Sequence, residues 1–226
     1  MGCFSRAAPE MTVPSGHIDG PETFARAFPV SRETLDRLTL YAQLLGQWGR
    51  VQDLVAPSTL DDIWHRHIAD SAQVLPLAPP DTKIWADLGS GAGFPGLVLA
   101  ILARDRPGFK MHLIESSNRK CSFLREVARR TGAPVEIHCM RIEQLATQRT
   151  VGAVELVTAR ALAPLASLLG LAKPLLADTT RALFLKGRDA PREIEAARQV
   201  WQFQSEMTAS RTDPDGRIVD IRHLRS

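Results

Sequence analysis

Apolar residues recur at helical spacing in the first third of the chain. After Ser31, which can cap a helix, large apolar side chains repeat at intervals of three or seven residues up to about Arg50: Leu35, Leu38, Leu45 and Trp48. A second helix is predicted from Ser58 through about Leu75, and the three prolines of residues 76–81 mark a linker. Two amphipathic helices therefore precede the rest of the chain.

From residue 84 onward, short apolar runs of strand length alternate with helical patterns. Strands are predicted at residues 84–88, 111–115, 135–139, 154–158, 181–185, 201–207 and 218–221. Helices are predicted at residues 95–104, 117–131, 162–177 and 191–199, with a short helix or turn at 141–146. This alternation is typical of an α/β fold with a doubly wound, mainly parallel sheet. The turn Asp213-Pro214-Asp215-Gly216 predicts that the last two strands form an antiparallel hairpin on the sheet edge.

These patterns divide the chain of 226 residues, a length that fits one α/β domain with a small appendage. Residues 1–29 carry five prolines and glycines between positions 9 and 21 and predict a loose N-terminal arm. Residues 30–76 are predicted to form a helical extension, and residues 77–226 the α/β domain.

Composition narrows the class of protein. The 44% apolar content can build a core, which excludes a chain that is disordered over most of its length. The formal net charge of +3 permits a phosphate-rich partner without requiring one. Positive charge is concentrated between residues 104 and 130, where eight residues are basic and three are acidic. We expect a basic surface in that part of the fold.

Cysteine usage and hydropathy indicate the compartment. Three cysteines without a Cys-x-x-Cys pair favour a reducing environment. The longest apolar stretch, residues 92–103, is too short to span a bilayer, and the first residues lack the apolar core of a signal peptide. We therefore expect a soluble, cytoplasmic protein with no membrane partner.

The segment Asp87-Leu88-Gly89-Ser90-Gly91-Ala92-Gly93-Phe94-Pro95 carries the strongest functional signal. It follows a predicted strand and opens a helix, which is where doubly wound sheets bind ligands. Glycines allow a sharp turn and a close approach of the ligand to the backbone. A dinucleotide fingerprint, Gly-x-Gly-x-x-Gly, fails because its third glycine would fall on Phe94. Glu115, at the end of the next predicted strand, can accept hydrogen bonds from two ribose hydroxyls.

The spacing Asp-x-Gly-x-Gly-x-Gly resembles the first motif of class I S-adenosylmethionine-dependent methyltransferases. Further segments are similar to the bacterial 16S rRNA guanine-N7 methyltransferases, the glucose-inhibited division protein B family. These segments are Gly89-Ser90-Gly91-Ala92-Gly93-Phe94-Pro95-Gly96, Glu115-Ser116-x-x-Arg119-Lys120, Trp64-x-x-His67-Ile68-x-Asp70-Ser71, Thr158-Ala159-Arg160-Ala161 and Leu185-Lys186-Gly187. The resemblance covers about residues 31–225.

The resemblance implies an enzyme with a class I methyltransferase fold, a Rossmann-like doubly wound sheet with an antiparallel C-terminal strand. It implies methyl transfer from S-adenosylmethionine to N7 of one guanine, position 527 of 16S rRNA. The small ribosomal subunit would be the partner, and we expect a monomer. The implied cofactor-binding residues are Gly89, Ser90, Gly91, Gly93, Phe94, Glu115, Ile142, Glu143 and Arg160. For Glu143 a second interpretation stays open, a carboxylate placed in the first turn of a helix by the helix dipole.

Residues that would contact the RNA are harder to assign. The candidates are His67, Arg119, Lys120, Lys186 and Arg188. His67 can approach the guanine or form a packing contact, and Lys186 can bind RNA or serve the fold. No metal site is expected, because His65 and His67 are two residues apart on a helix and point about 200° apart.

No catalytic residue is expected. Guanine N7 has a free lone pair, so its methylation needs positioning of the reactants and no general base. Two alternatives remain. A small-molecule methyltransferase would bind its substrate without the steep salt dependence of RNA binding. A noncatalytic S-adenosylmethionine-binding regulator would bind the cofactor but release no S-adenosylhomocysteine.

Overall fold

The computed structural model describes residues 16–49, 54–148 and 151–225. Its α-helices are α1 (Pro21–Ala27), α2 (Arg32–Gly49), α3 (Asp70–Ala72), α4 (Gly96–Leu102), α5 (Asn118–Thr131), α6 (Glu143–Gln148), α7 (Leu165–Ala172) and α8 (Ala190–Arg198). Turns of 3-10 helix lie at Pro57–Asp62, Leu75–Leu77 and Lys173–Leu175, and a π-helical turn lies at Trp64–Ala69. None of the described helices is both long and apolar enough to cross a membrane.

The described strands form a single seven-stranded sheet. They are β1 (Ile84–Leu88), β2 (Lys110–Glu115), β3 (Val135–Cys139), β4 (Leu156–Arg160), β5 (Arg181–Lys186), β6 (Gln202–Ala209) and β7 (Arg217–Arg225), in the spatial order β3-β2-β1-β4-β5-β7-β6. Strands β1 to β5 pair in parallel, and β7 is antiparallel to both β5 and β6. The predicted doubly wound sheet with an antiparallel hairpin on its edge is confirmed.

The central parallel strands β1, β4 and β5 are buried on both faces, as is usual for parallel strands. Successive side chains of β1 point to opposite faces. Trp85 belongs to a core cluster shared with α2, α4 and α5, whereas Ala86 and Leu88 belong to a cluster shared with α7 and α8. All three side chains are fully buried. The loops that can bind a ligand therefore lie at the carboxyl ends of these parallel strands.

Helix α2 joins the N-terminal segment to the sheet. It begins after Ser31, whose Oγ accepts a hydrogen bond from the backbone N–H of Thr34 at 3.2 Å, as the predicted cap requires. Tyr41 of α2 is fully buried and donates a hydrogen bond to the carbonyl of Ala92 at 2.5 Å. The predicted helical extension thus shares a core with the sheet and touches the glycine loop.

The prediction of a loose arm over residues 1–29 is wrong for its last part. Helix α1 begins at Pro21, a residue suited to the first helical position. Phe24 is fully buried, with its ring centroid 4.9 Å from Phe28 and 5.6 Å from Trp64. Aromatic side chains four residues apart lie on one helix face, and burying that face fixes the segment. Residues 1–15 lie outside the described residues.

The second predicted helix, residues 58–75, is helical but not one regular α-helix. The chain passes from the 3-10 turn Pro57–Asp62 through the π-helical turn Trp64–Ala69 to the short helix α3. The N–H of Asp70 donates to the carbonyl of His65, a five-residue separation that defines the wider π turn. This change of winding buries both His67 and Ile68.

Candidate functional site

The loop between β1 and α4 takes the turn that its glycines predict. Gly89, Gly91 and Gly93 all have positive φ angles, +64°, +58° and +103°. A Cβ atom on Gly89 would lie 2.7 Å from a methyl group of Leu162. A side chain at this position would therefore be strained by its backbone and blocked by its neighbour.

Asp87, at the end of β1, anchors this loop by hydrogen bonds to the start of α4 and to β4. Its carboxylate accepts a hydrogen bond from the N–H of Gly96 at 3.2 Å and one from the hydroxyl of Thr158 at 2.7 Å. Burial raises the pKa of Asp87 to about 6, against the lowering effect of the hydrogen bond from Thr158. Asp87 thus ties the start of α4 to β4 and positions the loop, with no exposed oxygen for a ligand.

Glu115 lies beside the loop at the end of β2. One carboxylate oxygen accepts the N–H of Gly91 at 2.9 Å, and the other accepts the N–H of Ser117 at 2.7 Å. A carboxylate oxygen can accept two hydrogen bonds. Each oxygen of Glu115 therefore keeps a free lone pair for a hydroxyl donor, as the sequence-based prediction requires.

A small cavity of about 320 Å³ opens at this point. Six of the predicted cofactor-binding residues line it: Gly89, Gly91, Glu115, Ile142, Glu143 and Arg160. Lys120, predicted to contact RNA, also lines this cavity. Glu143 is also the first residue of α6. Its place in the cavity wall and its place in the first turn of a helix are therefore compatible.

Three predicted cofactor-binding residues do not line the small cavity. The Ser90 hydroxyl is buried and donates to the carbonyl of Asp87 at 2.9 Å. At Gly93, a Cβ would point at Tyr41 and Leu97, both 2.7 Å away, so this glycine serves packing. The ring of Phe94 is also directed inward, where it stacks on Tyr41.

The small cavity fits the cofactor that the sequence resemblance implies. Its volume lies within the range of about 300 to 1,000 Å³ that is usual for small-molecule sites. Gly89 and Gly91 line one side of this cavity with backbone, Glu115 has acceptors that a ribose could use, and Ile142 and Leu162 are apolar lining residues that could border an adenine ring. This donor and acceptor set suits a nucleoside with a short charged tail.

A large cavity of about 620 Å³ lies next to the small one. Residues 160–162, at the end of β4, line both cavities. The rest of the large cavity comes from the second helical segment, the end of β5 and the hairpin, including Thr59, His67, Asp70, Lys186 and Thr212. A ligand in the small cavity and one in the large cavity would therefore meet at residues 160–162.

Arg160 occupies this shared wall and is held on several sides. Its guanidinium donates to the carbonyl of Arg66 at 3.0 Å and to the carboxylate of Asp70 at 3.2 Å. It also donates to Nδ1 of His67 at 2.9 Å and lies 5.0 Å from the centre of the Phe94 ring. Phe94 and the helical segment thus fix the direction of the one cation that faces both cavities among the residues that the structure describes.

The contacts of His67 determine its proton position. An arginine only donates hydrogen bonds, so Nδ1 of His67 must accept from Arg160. The proton then lies on Nε2, which is 2.9 Å from the hydroxyl oxygen of Thr59. Burial and the nearby arginines lower the pKa of His67 to about 3. His67 is therefore a neutral donor in the cavity wall, and its ring packs 4.8 Å from that of Phe94.

The remaining RNA-binding candidates differ in their availability. Arg119 is exposed in the first turn of α5 and lines neither cavity. Lys186 is only 9% exposed; its ammonium lies 2.6 Å from the carboxylate of Glu193 and donates to a backbone carbonyl at 2.8 Å. Arg188 is exposed and forms a 2.6 Å ion pair with Asp215. Of these three residues, Lys186 is the one whose charge is largely buried and paired within the protein.

Asp70 and Gln73 belong to the site but were not predicted as site residues. Asp70 accepts hydrogen bonds from Arg160, Gln73 and Thr212. Gln73 also donates to Ser210 at 3.0 Å, so these two residues tie the helical segment to the hairpin across the large cavity. Their partners lie up to 142 positions away in sequence. The segment Trp64-x-x-His67-Ile68-x-Asp70-Ser71 was a signal for Asp70, whereas no local pattern pointed to Gln73.

Comparisons with known proteins agree on one family. A family model described as GidB, rRNA small subunit methyltransferase G, matches residues 34–217. A protein of Parvibaculum lavamentivorans named ribosomal RNA small subunit methyltransferase G is 50% identical over 203 residues, covering 90% of this chain and 89% of that protein. A protein of the same name from Methylorubrum extorquens is 52% identical over 195 residues, covering 86% of this chain and 91% of that protein.

A solved structure is similar in fold at low sequence identity. It is the O-methyltransferase from Bacillus cereus in complex with SAH, with a TM-score of 0.58 and 11% identity. The match covers 89% of this chain and 96% of that chain. The class I methyltransferase fold that the sequence predicts is thereby confirmed.

Proposed function

Since this chain belongs to the rRNA small subunit methyltransferase G family, we propose that it transfers a methyl group from S-adenosylmethionine to N7 of guanine 527 in 16S rRNA. The observation that carries this proposal is the shared wall of the two cavities at residues 160–162. We assign the small cavity to the cofactor and the large cavity to the target guanine.

The small cavity supplies what binding of the cofactor requires. S-adenosylmethionine, when bound, supplies an electrophilic methyl group on a sulfonium sulfur. Glu115 would accept the ribose hydroxyls through its remaining lone pairs, and Gly89 and Gly91 would let the ligand lie against the backbone. Ile142 and Glu143 would border the adenine. Ser90, Gly93 and Phe94 would hold the shape of the loop from behind.

The large cavity suits a nucleobase taken out of its stack. Enzymes that modify a base inside folded nucleic acid commonly bind it in such an extruded state. The bonds of Asp70 and Gln73 to the hairpin fix one side of the cavity wall, while the cavity stays open enough for a base to enter. Its wall contains cations and anions in similar number, so a neutral base can enter without a large electrostatic penalty.

The chemistry at N7 needs no proton transfer before methylation, and the cavity wall is consistent with that. His67 is neutral, with its proton directed at Thr59, and Arg160 remains a fixed cation. The contribution of these residues is to hold the reacting groups in line where the two cavities meet. No residue of this chain is assigned the role of general base.

The position of Lys120 changes its proposed role. As a lining residue of the small cavity, it would contact the charged tail of the cofactor rather than the RNA. Arg119 and Arg188 keep their proposed contacts with RNA phosphates, since both are exposed. Lys186, which Glu193 holds in place, would form part of the wall of the guanine cavity and would not contact RNA phosphates. We further propose a monomeric, cytoplasmic enzyme.

The decisive experiment uses small ribosomal subunits from a strain that lacks the modification. Purified protein and S-adenosylmethionine with a labelled methyl group are incubated with these subunits, and the label is mapped by nucleoside mass spectrometry and primer extension. We expect 7-methylguanosine at position 527. Subunits from the parent strain are the matched control. Their guanine 527 is already methylated, so they should accept almost no label.

The same assay with naked 16S rRNA and with assembly intermediates defines the form of the substrate. A protein that binds S-adenosylmethionine but labels none of these substrates would overturn the proposal. Label at another atom or another nucleotide would contradict the assignment of N7 or of position 527.

A further inference from the structure

Three potential metal ligands lie together on the edge of the sheet opposite the hairpin. Glu136 and His138 are two residues apart on β3, so their side chains point to the same face. His112 on β2 is the register partner of Glu136 and shares that face. Both histidines are buried, whereas 44% of the Glu136 side chain is exposed.

The distances between the ligand atoms are close to those of a metal site. Nδ1 of His112 lies 2.9 Å from Nε2 of His138. The carboxylate oxygens of Glu136 lie 3.9 Å from that His112 atom and 3.6 Å from that His138 atom. In a tetrahedral zinc site with bonds of about 2.0 to 2.1 Å, neighbouring ligand atoms are about 3.3 Å apart. The two distances to Glu136 involve two different oxygens, and one ligand atom from each residue can be chosen so that all three lie within 4.8 Å of one another. Binding therefore requires the half-exposed Glu136 side chain to turn so that a single oxygen faces both histidines.

We propose that His112, Glu136 and His138 bind one Zn²⁺ ion, with a fourth position open to water on the exposed side of Glu136. Two imidazoles with one carboxylate are a ligand set that zinc uses in proteins. Sequence analysis considered only His65 and His67 when it predicted no metal site. His112, Glu136 and His138 were not considered, since they lie on two separate strands. The register of β2 and β3 is what brings them together.

This site is separate from the proposed methyl transfer but adjoins its cofactor cavity. His138 pairs in register with Ile114, which lines the small cavity. An ion bound across β2 and β3 would cross-link the edge strand to its neighbour, next to the loop that carries Met140 and Ile142. We therefore expect zinc to stabilise the fold without taking part in the reaction.

Lys110 competes for the same carboxylate. Its ammonium forms an ion pair with Glu136, and 46% of its side chain is exposed. A bound cation would displace this ammonium from the carboxylate. Since an exposed ion pair is worth about 0.2 to 1 kcal/mol, Lys110→Gln should tighten zinc binding by at most about fivefold.

The test measures Zn²⁺ binding to the full chain, prepared without a histidine tag and stripped with a chelator. Calorimetry with zinc sulfate should give about one ion per chain, and zinc should raise the midpoint of thermal unfolding. Cobalt(II) should produce the visible absorption of a four-coordinate site, a signal that hydrogen bonds among these residues cannot give.

Glu136→Gln and His138→Gln test the assignment, with His223→Asn as the matched loss of an exposed histidine on β7. We expect the first two variants to weaken zinc binding by about tenfold or more and the third to leave it unchanged. Circular dichroism confirms that each variant folds, and Glu136→Gln changes a half-exposed side chain that should tolerate replacement. Zinc binding that is absent from the wild type, or that survives both substitutions, would overturn the proposal whatever the methyltransferase assay shows.

Discussion

Replacing Glu115 with glutamine tests the cofactor site and the loop that builds it in one variant. The two carboxylate oxygens accept backbone N–H groups at 2.9 and 2.7 Å, and the side chain is buried. Glutamine keeps one acceptor and turns its NH₂ group toward the other N–H. One backbone donor, on Gly91 or on Ser117, therefore loses its partner.

The expected magnitude follows from that single lost bond. A hydrogen bond to a charged acceptor contributes about 1.5 to 3 kcal/mol. We expect Glu115→Gln to lower the free energy of unfolding by about this amount. The same variant removes one of the two acceptor oxygens for the ribose hydroxyls, and an equal loss in binding corresponds to an affinity about 10- to 150-fold lower.

Two measurements separate these effects. Urea unfolding gives the change in stability, and calorimetry with S-adenosylhomocysteine, well below the unfolding transition, gives the change in affinity. Glu206→Gln is the matched control, because its side chain is 73% exposed and its ion pair with Arg222 is long, 3.5 Å. We expect this control to stay within about 0.5 kcal/mol of the wild type. An unchanged affinity in Glu115→Gln would refute the ribose assignment, and a stability equal to that of the control would refute the bridging role.

Three further predictions concern the pH response, the packing of the loop and the RNA surface. The pKa of His67 is about 3 in the folded state and about 6.5 in the unfolded state, so protonation favours unfolding as pH falls below 6.5. The stability advantage of the wild type over His67→Gln, measured by urea unfolding, should therefore shrink from pH 7 to pH 5. A constant difference would contradict the buried, neutral state of His67. Gly96→Ala should lower the unfolding free energy, measured in thermal scans, by about 1 to 3 kcal/mol, because the new Cβ would lie 2.5 Å from a Leu113 methyl. Gly46→Ala, with open space at its Cβ, should raise the unfolding free energy slightly. Equal effects of the two substitutions would contradict this packing. Arg119→Ala should weaken binding to small ribosomal subunits and reduce the salt slope by about 1 in a titration of ionic strength, and an unchanged slope would remove Arg119 from the RNA surface.

Helix α5 illustrates how far local patterns reach. Sequence analysis predicted it from residue 117 to 131, and the structure has Asn118–Thr131 between Ser117 and Gly132. Ser117 caps its start, and Gly132 ends it with a φ of +63° that few other residues adopt easily. Such boundaries depend on neighbouring residues alone, so one sequence suffices to place them.

The second helical segment shows where local patterns fail. A regular helix was predicted, but the chain follows 3-10 and π winding that places His67 and Asp70 against Arg160. Helix α1 was missed for a similar reason. A helix of this length is stabilised by tertiary packing, here of Phe24 on Trp64, rather than by helix propensity. Tertiary packing overrides the local preference in both places.

Local patterns were enough to predict the seven strands in order, the glycine turn and the position of Glu115 at a strand end. These features depend on hydrophobic period, on backbone freedom and on the rule that parallel strands bring their carboxyl ends to one edge. By contrast, the inward direction of Phe94, the ion pair between Glu193 and Lys186 and the contact between His112 and His138 follow from the packing of the folded chain. A side chain's direction, charge partner and desolvation depend on which distant elements pack around it, and local sequence patterns do not encode that packing.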